Sequence, residues 1–488
     1  MQTLNRRTTN ISKTRPIRIM QFGGGNFLRA FFDWMIHVLN QETEFNGSIA
    51  IVKPTSGGDY AKLKAQDGLF TVVLDGIKNG QLIAEKTLVT AVQEIINSYT
   101  EWGAYLELAK NPDVRFIVSN TTEAGIKFNV DDSLDASPPK EFPAKLTIWL
   151  YHRFQYFNGD TSKGCILLPC ELIENNGEAL KKAIMLYADH WQLDDGFKNW
   201  VNHSNYFCST LVDRIVSGYP TERAEEIQNA LGYEDQLLVA GEYYHSWVIQ
   251  ANKIVQEELP FAKTDLNVEF VDDLGPYREM KVRILNGAHT AMVPVGYLAG
   301  IRFVKEAMDN TEVSSFVESL LLEEASKTLD FPDNVKNKFV VDVLDRFRNP
   351  LLKHQLISIS LNSTSKFVAR LLPTLKDYQH NKGILPKRIV FGLSALLLFY
   401  RGIFNGEQIT LKDDQGVLDF FAAQWKEVDN IEIDINTFVK TVLSNTSIWK
   451  EDMTQINGLA DAVAKNIFQI QEIGVIKTLR ELLNPQAL

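Results

Sequence analysis

Cysteine is scarce in this chain. Three occur in 488 residues, Cys165, Cys170 and Cys208, and no C-x-x-C pair is among them. So low and odd a count leaves no disulfide framework and fits a reducing compartment. The three read as small buried apolar side chains. Basic charge is also short: 50 Lys and Arg stand against 61 Asp and Glu, a formal charge of −11. Nucleic-acid binding calls for a basic face, so no nucleic-acid partner is expected, and anionic membranes are disfavoured. Long apolar runs are missing too. The longest, "IVFGLSALLLFY" at 389–400, falls short of the roughly 20 residues a bilayer span requires and reads as a buried helix. The first twenty residues, "MQTLNRRTTNISKTRPIRIM", have no apolar stretch of the secretory kind. The expected location is the cytoplasm, without a membrane partner. There is no internal repeat and no low-complexity tract.

What remains is globular: 45% hydrophobic and 23% charged residues, with length for two or three domains. Up to about residue 175, strand and helix patterns alternate. Buried strands are expected at 17–22, 48–54, 114–120 and 164–172, and helices at 26–40, 101–112 and 142–157. A hairpin is expected at 69–89, with Asp75-Gly76 and Asn79-Gly80 as turn signals. Such alternation indicates a mostly parallel sheet. After further helices at 176–191 and 194–207, "NVEFVDD" (267–273) is the last good strand candidate. Beyond it, helical periodicity dominates, including 278–298, 312–328, 334–346, 350–360, 365–375, 387–403, 414–427, 435–446 and 460–484. The fold class is therefore a Rossmann-type α/β domain with an inserted β-hairpin, expected over 1–272, followed by an all-α domain over 273–488.

The stretch "IMQFGGGNFLRAFF" (19–32) joins the first strand to the first helix. A dinucleotide-binding turn needs glycines for a tight bend and for close approach of a pyrophosphate to the helix N-terminus, where free N–H groups and the helix dipole favour an anion. Gly23 and Gly25 serve both needs. The third glycine of the G-x-G-x-x-G fingerprint is absent, because Leu28 stands there. The acidic residue that binds ribose at the end of the second strand is absent as well. Lys53 sits there and Asp59 lies further on, which leaves NAD against NADP open on chemistry alone.

The segment "KVRILNGAHTAMVPVGYLAG" (281–300) places Lys281, Asn286 and His289 in an otherwise apolar helix. On a regular helix they fall at about 0°, 140° and 80°, sharing one broad side. Singly, each is ordinarily a snorkelling lysine or a satisfied core group. Together they suit reduction of a carbonyl. A desolvated lysine can act as general acid/base, while an amide and an imidazole can hydrogen-bond to an oxygen gaining negative charge. Asp213 and Arg214 lie within the apolar run 209–220, where an ion pair or helix cap is the plain reading. Arg346, Arg348, Lys353, His354, Lys366 and Arg370 follow at 345–370. Most such charges are solvated, but a carboxylate-bearing substrate needs one or two of them.

The stretches "FGGGNFLRAF", "SNTTEAG", "PAKLT", "PCELIENNG", "STLVDRIV", "KVRILNGAHTA" and "RFRNP" resemble the mannitol dehydrogenase family of long-chain polyol dehydrogenases and uronate reductases, over nearly the whole chain. Lys281-x4-Asn286-x2-His289 matches the family's K-x4-N-x2-H, and Gly23, Gly25, Asn26, Arg29 and Ala30 match its G-x-G-N-x-x-R-A loop, which itself lacks the third glycine. The resemblance implies NAD(H) as cofactor, no metal, Lys281 as general acid/base, and Asn286 and His289 polarising a carbonyl. It places Phe22, Gly23, Gly24, Gly25, Asn26, Phe27, Arg29, Asn120 and Thr121 at the cofactor. Asp213, Glu171, Arg346, Lys366 and Arg370 are assigned to a uronate or aldonate substrate, and oligomerisation is left open. Mannitol-specific members carry Asp-Asn where Glu171 and Leu172 stand here, which points to the uronate branch. The reading from another class, a dinucleotide sensor without turnover, has no need of a proton donor such as Lys281.

Overall fold

In the computed structural model, residues 1–12, 15–58, 60–78, 80–122, 124–351, 353–404 and 406–483 are described. Asp59 and Asn79 lie outside the described residues. The chain divides into two compact units, Met1–Asp75 with Leu82–Leu274, and Gly76–Gln81 with Gly275–Leu488.

The first unit is organised by a six-stranded sheet: β1 (Ile17–Phe22), β2 (Ser48–Val52), β3 (Val92–Ile96), β4 (Phe116–Ser119), β5 (Ile166–Pro169) and β6 (Tyr206–Phe207). Its spatial order is β3-β2-β1-β4-β5-β6, and every neighbouring pair is parallel. This is the doubly wound dinucleotide-binding order, whose ligand crevice lies beyond the carboxyl ends of the strands where the order reverses, between β1 and β4. Successive β1 side chains enter different cores, as strand alternation requires. Ile19 joins Phe31, Phe32 and Phe116 on one side, while Met20 and Phe22 join Tyr105 and Trp149 on the other. Both faces are covered, so the strands read as continuous apolar runs.

The expected hairpin forms, from Phe70–Lys78 and Gln81–Val89. Asp75-Gly76 is strand rather than turn, and the reversal instead takes Gly80 at φ +75°. The hairpin belongs to a separate four-stranded sheet with Val216–Gly218 and Val239–Glu242, and a three-stranded sheet combines Thr210–Asp213, Ser246–Gln250 and Val268–Val271. These strands between 210 and 250 are short and half-polar, and the sequence pattern did not announce them.

In the second unit, helix Lys387–Phe399 forms the centre, with every residue from Ile389 to Phe399 buried. Gly392 allows a close helix crossing: a Cβ there would lie 3.2 Å from the Ala291 Cβ. The helix over 275–298 is continuous but not regular. Gly275–Lys281 is α-helical, Val282–Asn286 is a π-helical turn, and Gly287–Leu298 is α-helical again. Three expected helices are corrected. The 350–360 segment is helical only over Leu356–Ile359; the 365–375 segment breaks between Arg370 and Leu372; and Gly474, at φ +82°, divides the last one. A helix at Val304–Asp309 and a small hairpin at Ile403–Phe404 and Glu407–Gln408 are additional. No helix among the described residues is long and apolar enough to cross a membrane.

Candidate active site

The glycine turn leaves β1 at its carboxyl end. Gly23 takes φ +110°, which an L side chain rarely adopts, and its N–H donates to the Val52 carbonyl at 3.0 Å. Gly24 is closely packed: a Cβ there would lie 2.9 Å from Leu63 Cδ1 and 3.2 Å from the Tyr60 ring, and its N–H donates to Tyr60 Oη at 2.9 Å. Gly25 differs from both. It is the N-cap of the following helix, and a Cβ there would meet nothing within 4 Å. Open space therefore lies in front of a helix that runs on through Glu42, the arrangement an approaching phosphate requires. Leu28 fills the third-glycine position as a core residue, 1% exposed, with its Cδ1 3.6 Å from where a Gly23 Cβ would be.

The residues expected around this turn are placed as follows. Phe22 is buried, Asn26 is exposed and Phe27 stacks on Phe31 at 4.9 Å. Arg29 points inward. Its guanidinium donates to the Leu237 carbonyl and, at 2.6 Å, to Asn26 Oδ1, and lies 5.2 Å from the Phe70 ring centroid. Burial lowers its pKa. Lys53 is also mostly buried, its ammonium 5.9 Å from the Tyr60 ring centroid.

Across the β1–β4 switch, Asn120 and Thr121 follow β4. Asn120 Nδ2 donates to the Cys170 carbonyl at 2.7 Å. Glu171 is 3% exposed and accepts from Thr121 N at 2.9 Å, Thr121 Oγ1 at 3.0 Å and Ser119 Oγ at 3.0 Å. Burial raises its pKa against those bonds. Glu171 thus ties the β4 loop to β5. Asn176, which the sequence reading missed, shares the two hydrogens of its Nδ2 among the carbonyls of Pro169, Glu171 and Thr210, each 3.0–3.1 Å away. It holds the strand that ends at Asp213, a half-buried residue opposite Ser246. Arg214 makes no bond of the cap kind. It is buried and donates to the carbonyls of Ala30, Tyr243 and Tyr244. Cys165, Cys170 and Cys208 are free and buried.

In the second unit, Lys281 closes the first α-helical stretch, Asn286 closes the π turn, and His289 lies on the next turn. The π turn corrects the regular-helix angles. Its bonds close to the fifth residue, so positions five apart, such as Lys281 and Asn286, are drawn toward one line. His289 is half-buried, with Phe347 at 4.4 Å and His354 at 5.4 Å between ring centroids. Burial lowers the His354 pKa. Thr290 donates to the Asn286 carbonyl at 2.9 Å and meets Arg370 Nη1 at 3.3 Å. Arg370 and Lys366 lie one turn apart on helix Ser363–Arg370: burial first, then Arg370, depresses the Lys366 pKa, and burial lowers that of Arg370. Lys366 Nζ donates to the Ile359 carbonyl at 2.8 Å. Arg346 is buried beside Phe347. Three segments distant in sequence, 281–290, 346–354 and 366–370, are thus brought together through His289 and Thr290.

A doubly wound sheet with a glycine turn, and a helical unit carrying lysine, amide and imidazole on one helix, define a Rossmann-type oxidoreductase. Two family models match the chain: the mannitol dehydrogenase Rossmann domain over residues 17–263 and the mannitol dehydrogenase C-terminal domain over residues 273–471. The chain belongs to the mannitol dehydrogenase family. It is 46% identical over 476 residues to an altronate oxidoreductase of Yersinia enterocolitica, covering 97% of this chain and 98% of that one. It is 45% identical over 481 residues to an altronate oxidoreductase of Bacillus subtilis, covering 99% and 98%. Among solved structures, a substrate-free D-sorbitol dehydrogenase aligns with a TM-score of 0.80 at 21% identity, covering 98% of this chain and 100% of that one. Pseudomonas fluorescens mannitol 2-dehydrogenase, in a ternary complex with NAD and D-mannitol, aligns at 0.67 and 21%, covering 99% of each. These two share the fold.

Proposed function

We propose that this protein is an NAD(H)-dependent altronate oxidoreductase, reversibly reducing D-tagaturonate to D-altronate in hexuronate catabolism in the cytoplasm. The observation that carries this reading is the 45–46% identity to altronate oxidoreductases over 97–99% of the chain. The cofactor turn fits the group: Gly25 leaves its Cβ position open before a helix N-terminus, and Phe22 to Phe27 with Asn120 and Thr121 would line the seat. The mostly buried Lys53 is in keeping with NAD rather than a 2′-phosphate.

Bound NADH supplies the hydride that reduces the keto carbon. Lys281 delivers the matching proton to the carbonyl oxygen and takes it back in the oxidation of altronate. Asn286 and His289 donate hydrogen bonds to that oxygen as it gains negative charge, an effect worth most where water is excluded. Arg370, Lys366 and the buried Arg346 supply positive charge for the substrate carboxylate, and Asp213 orients a hydroxyl. Glu171 serves the site by fixing the Asn120–Thr121 loop. No metal takes part in this reading.

The test is NADH oxidation by purified protein with D-tagaturonate, D-fructuronate and D-fructose, and with NADPH in parallel. Tagaturonate with NADH is expected to give the highest kcat/KM. A preference for fructuronate would make it a mannonate oxidoreductase, and a preference for fructose a mannitol 2-dehydrogenase. NADH binding without turnover on any of the three would make it a sensor.

A further inference from the structure

Beneath the glycine turn lies a group of buried polar atoms that the reaction does not use. Gln21 and Asp33 are both fully buried, at 0% exposure. Gln21 alternates along β1 with Met20 and Phe22, so it faces the side that holds Ile19, Phe31 and Phe32, where the 26–42 helix packs. Asp33 closes the π-helical turn Arg29–Asp33 of that helix. The Gln21 amide and the Asp33 carboxyl interact directly.

The donors and acceptors here do not balance. Gln21 Nε2 donates to the Gly23 carbonyl at 2.9 Å. Gln21 Oε1 and both Asp33 oxygens are buried acceptors with no hydrogen-bond partner. Turning the amide over would point its oxygen at the Gly23 carbonyl and lose the one bond present. Arg29, the nearest cation on the same helix, gives Nη1 to the Leu237 carbonyl and Nη2 to Asn26, and its buried Nε bonds to none of these three oxygens, so it acts on Asp33 through its charge alone. A buried carboxylate lacking both an ion pair and hydrogen bonds is costly. One proton on Asp33 supplies the missing donor.

We propose that Asp33 is held as a neutral carboxylic acid whose hydroxyl donates to Gln21 Oε1, and that the Asp33–Gln21 pair is the positioning element of the dinucleotide turn. This rests on the reading of that turn as the NADH seat. Asp33 fixes the Gln21 amide, and the amide fixes the Gly23 carbonyl. Because the peptide is planar and trans, the Gly24 N–H then points the opposite way, where it meets Tyr60 Oη at 2.9 Å. A neutral Asp33 also keeps a negative charge from under a site built for a pyrophosphate. Burial raises the Asp33 carboxyl to about 8, with Gln21 and Arg29 opposing. Among the described residues, Tyr60, which precedes helix Ala61–Ala65, and Asp235, which follows strand Tyr233–Glu234, are the other titratable groups that act on this pocket.

The experiment compares wild type, Asp33→Asn and Asp33→Leu by NADH fluorescence titration from pH 6 to 9, with thermal unfolding and infrared spectra of the same samples. Wild-type affinity is expected to fall several-fold as pH rises through about 8, because Asp33 ionises and the pair loses its donor. Asp33→Leu, which has no donor, is expected to bind about tenfold more weakly at pH 7, the effect of one lost hydrogen bond. Asp33→Asn keeps a donor without a titrating proton, and should restore most of that loss and flatten the pH profile. The C=O stretch of a protonated carboxylic acid should be present in wild type at pH 6 and missing in Asp33→Asn. A flat wild-type profile, or a folded Asp33→Leu that binds NADH as wild type does, overturns the proposal. If wild type binds no NADH, the cofactor reading fails by itself. The infrared difference then still decides the state of Asp33, and its absence overturns the proposal independently.

Discussion

The ring of His289 rests against that of Phe347, with 4.4 Å between centroids and a 40° tilt. His289 belongs to the helix that carries Lys281, whereas Phe347 ends helix Asp333–Phe347, next to the buried Arg346. The contact couples the aim of the imidazole to the segment that presents a cation. Phe347→Leu keeps an apolar side chain but loses the flat support. It is expected to lower kcat by about tenfold, the price of a ring that no longer holds its donor angle, with NADH affinity unchanged. Steady-state kinetics beside an NADH titration check this. An unaltered kcat would show that the ring contact is packing alone.

Lys281 is the residue of the trio to which the proposed reaction gives the proton transfer. Lys281→Ala is expected to cut kcat by roughly 10²–10⁴-fold, the usual contribution of a general acid. The dissociation constant for NADH should stay near wild type. Turnover of tagaturonate at a near wild-type rate would refute the assigned role.

The pair Lys366 and Arg370 gives a test that separates substrates. Arg370 reaches Thr290 on the site helix, and both cations are partly buried and lowered in pKa. A charge-assisted contact to a carboxylate contributes about 1.5–3 kcal/mol. Arg370→Ala is therefore expected to raise KM for tagaturonate by roughly ten- to a hundredfold while altering kcat/KM for fructose little. An equal loss on both substrates would assign Arg370 to helix packing.

Much of this was legible in the sequence, for physical reasons that differ by element. The six-stranded sheet announced itself because both faces are buried, which makes runs such as "SIAIV" apolar throughout. The short strands over 210–250 escaped because their burial is mixed, as in Thr210–Asp213, and short mixed segments carry neither period. Lys281, Asn286 and His289 stood out because polar groups interrupt an apolar helix. The π turn at Val282–Asn286 did not, since a helix with one wider turn keeps nearly the same hydrophobic pattern. Gln21 and Asp33 were passed over because burial of a polar side chain shows only when its neighbours are in place. The family resemblance places Arg29 at the cofactor; its guanidinium is turned toward Leu237 and Asn26, which only the three-dimensional arrangement reveals.

The neighbouring glycines Gly24 and Gly25 should respond oppositely to the same substitution. A Cβ on Gly24 would press on Leu63 at 2.9 Å, Tyr60 at 3.2 Å and Ile51 at 3.3 Å. Gly24→Ala should therefore destabilise the first unit by about 1–3 kcal/mol, the range of a core overpacked by one methyl. A Cβ on Gly25 would touch no protein atom, and its φ of −71° and ψ of 170° suit alanine. Gly25→Ala should cost less than about 1 kcal/mol of stability, mostly as a poorer N-cap. Yet the new methyl would stand where a phosphate must approach the helix N-terminus, so NADH binding should weaken by at least about tenfold, some 1.4 kcal/mol. Thermal unfolding of the two variants, set beside NADH titration, separates these effects. A Gly25→Ala protein that binds NADH at wild-type strength would remove the glycine turn from the cofactor seat.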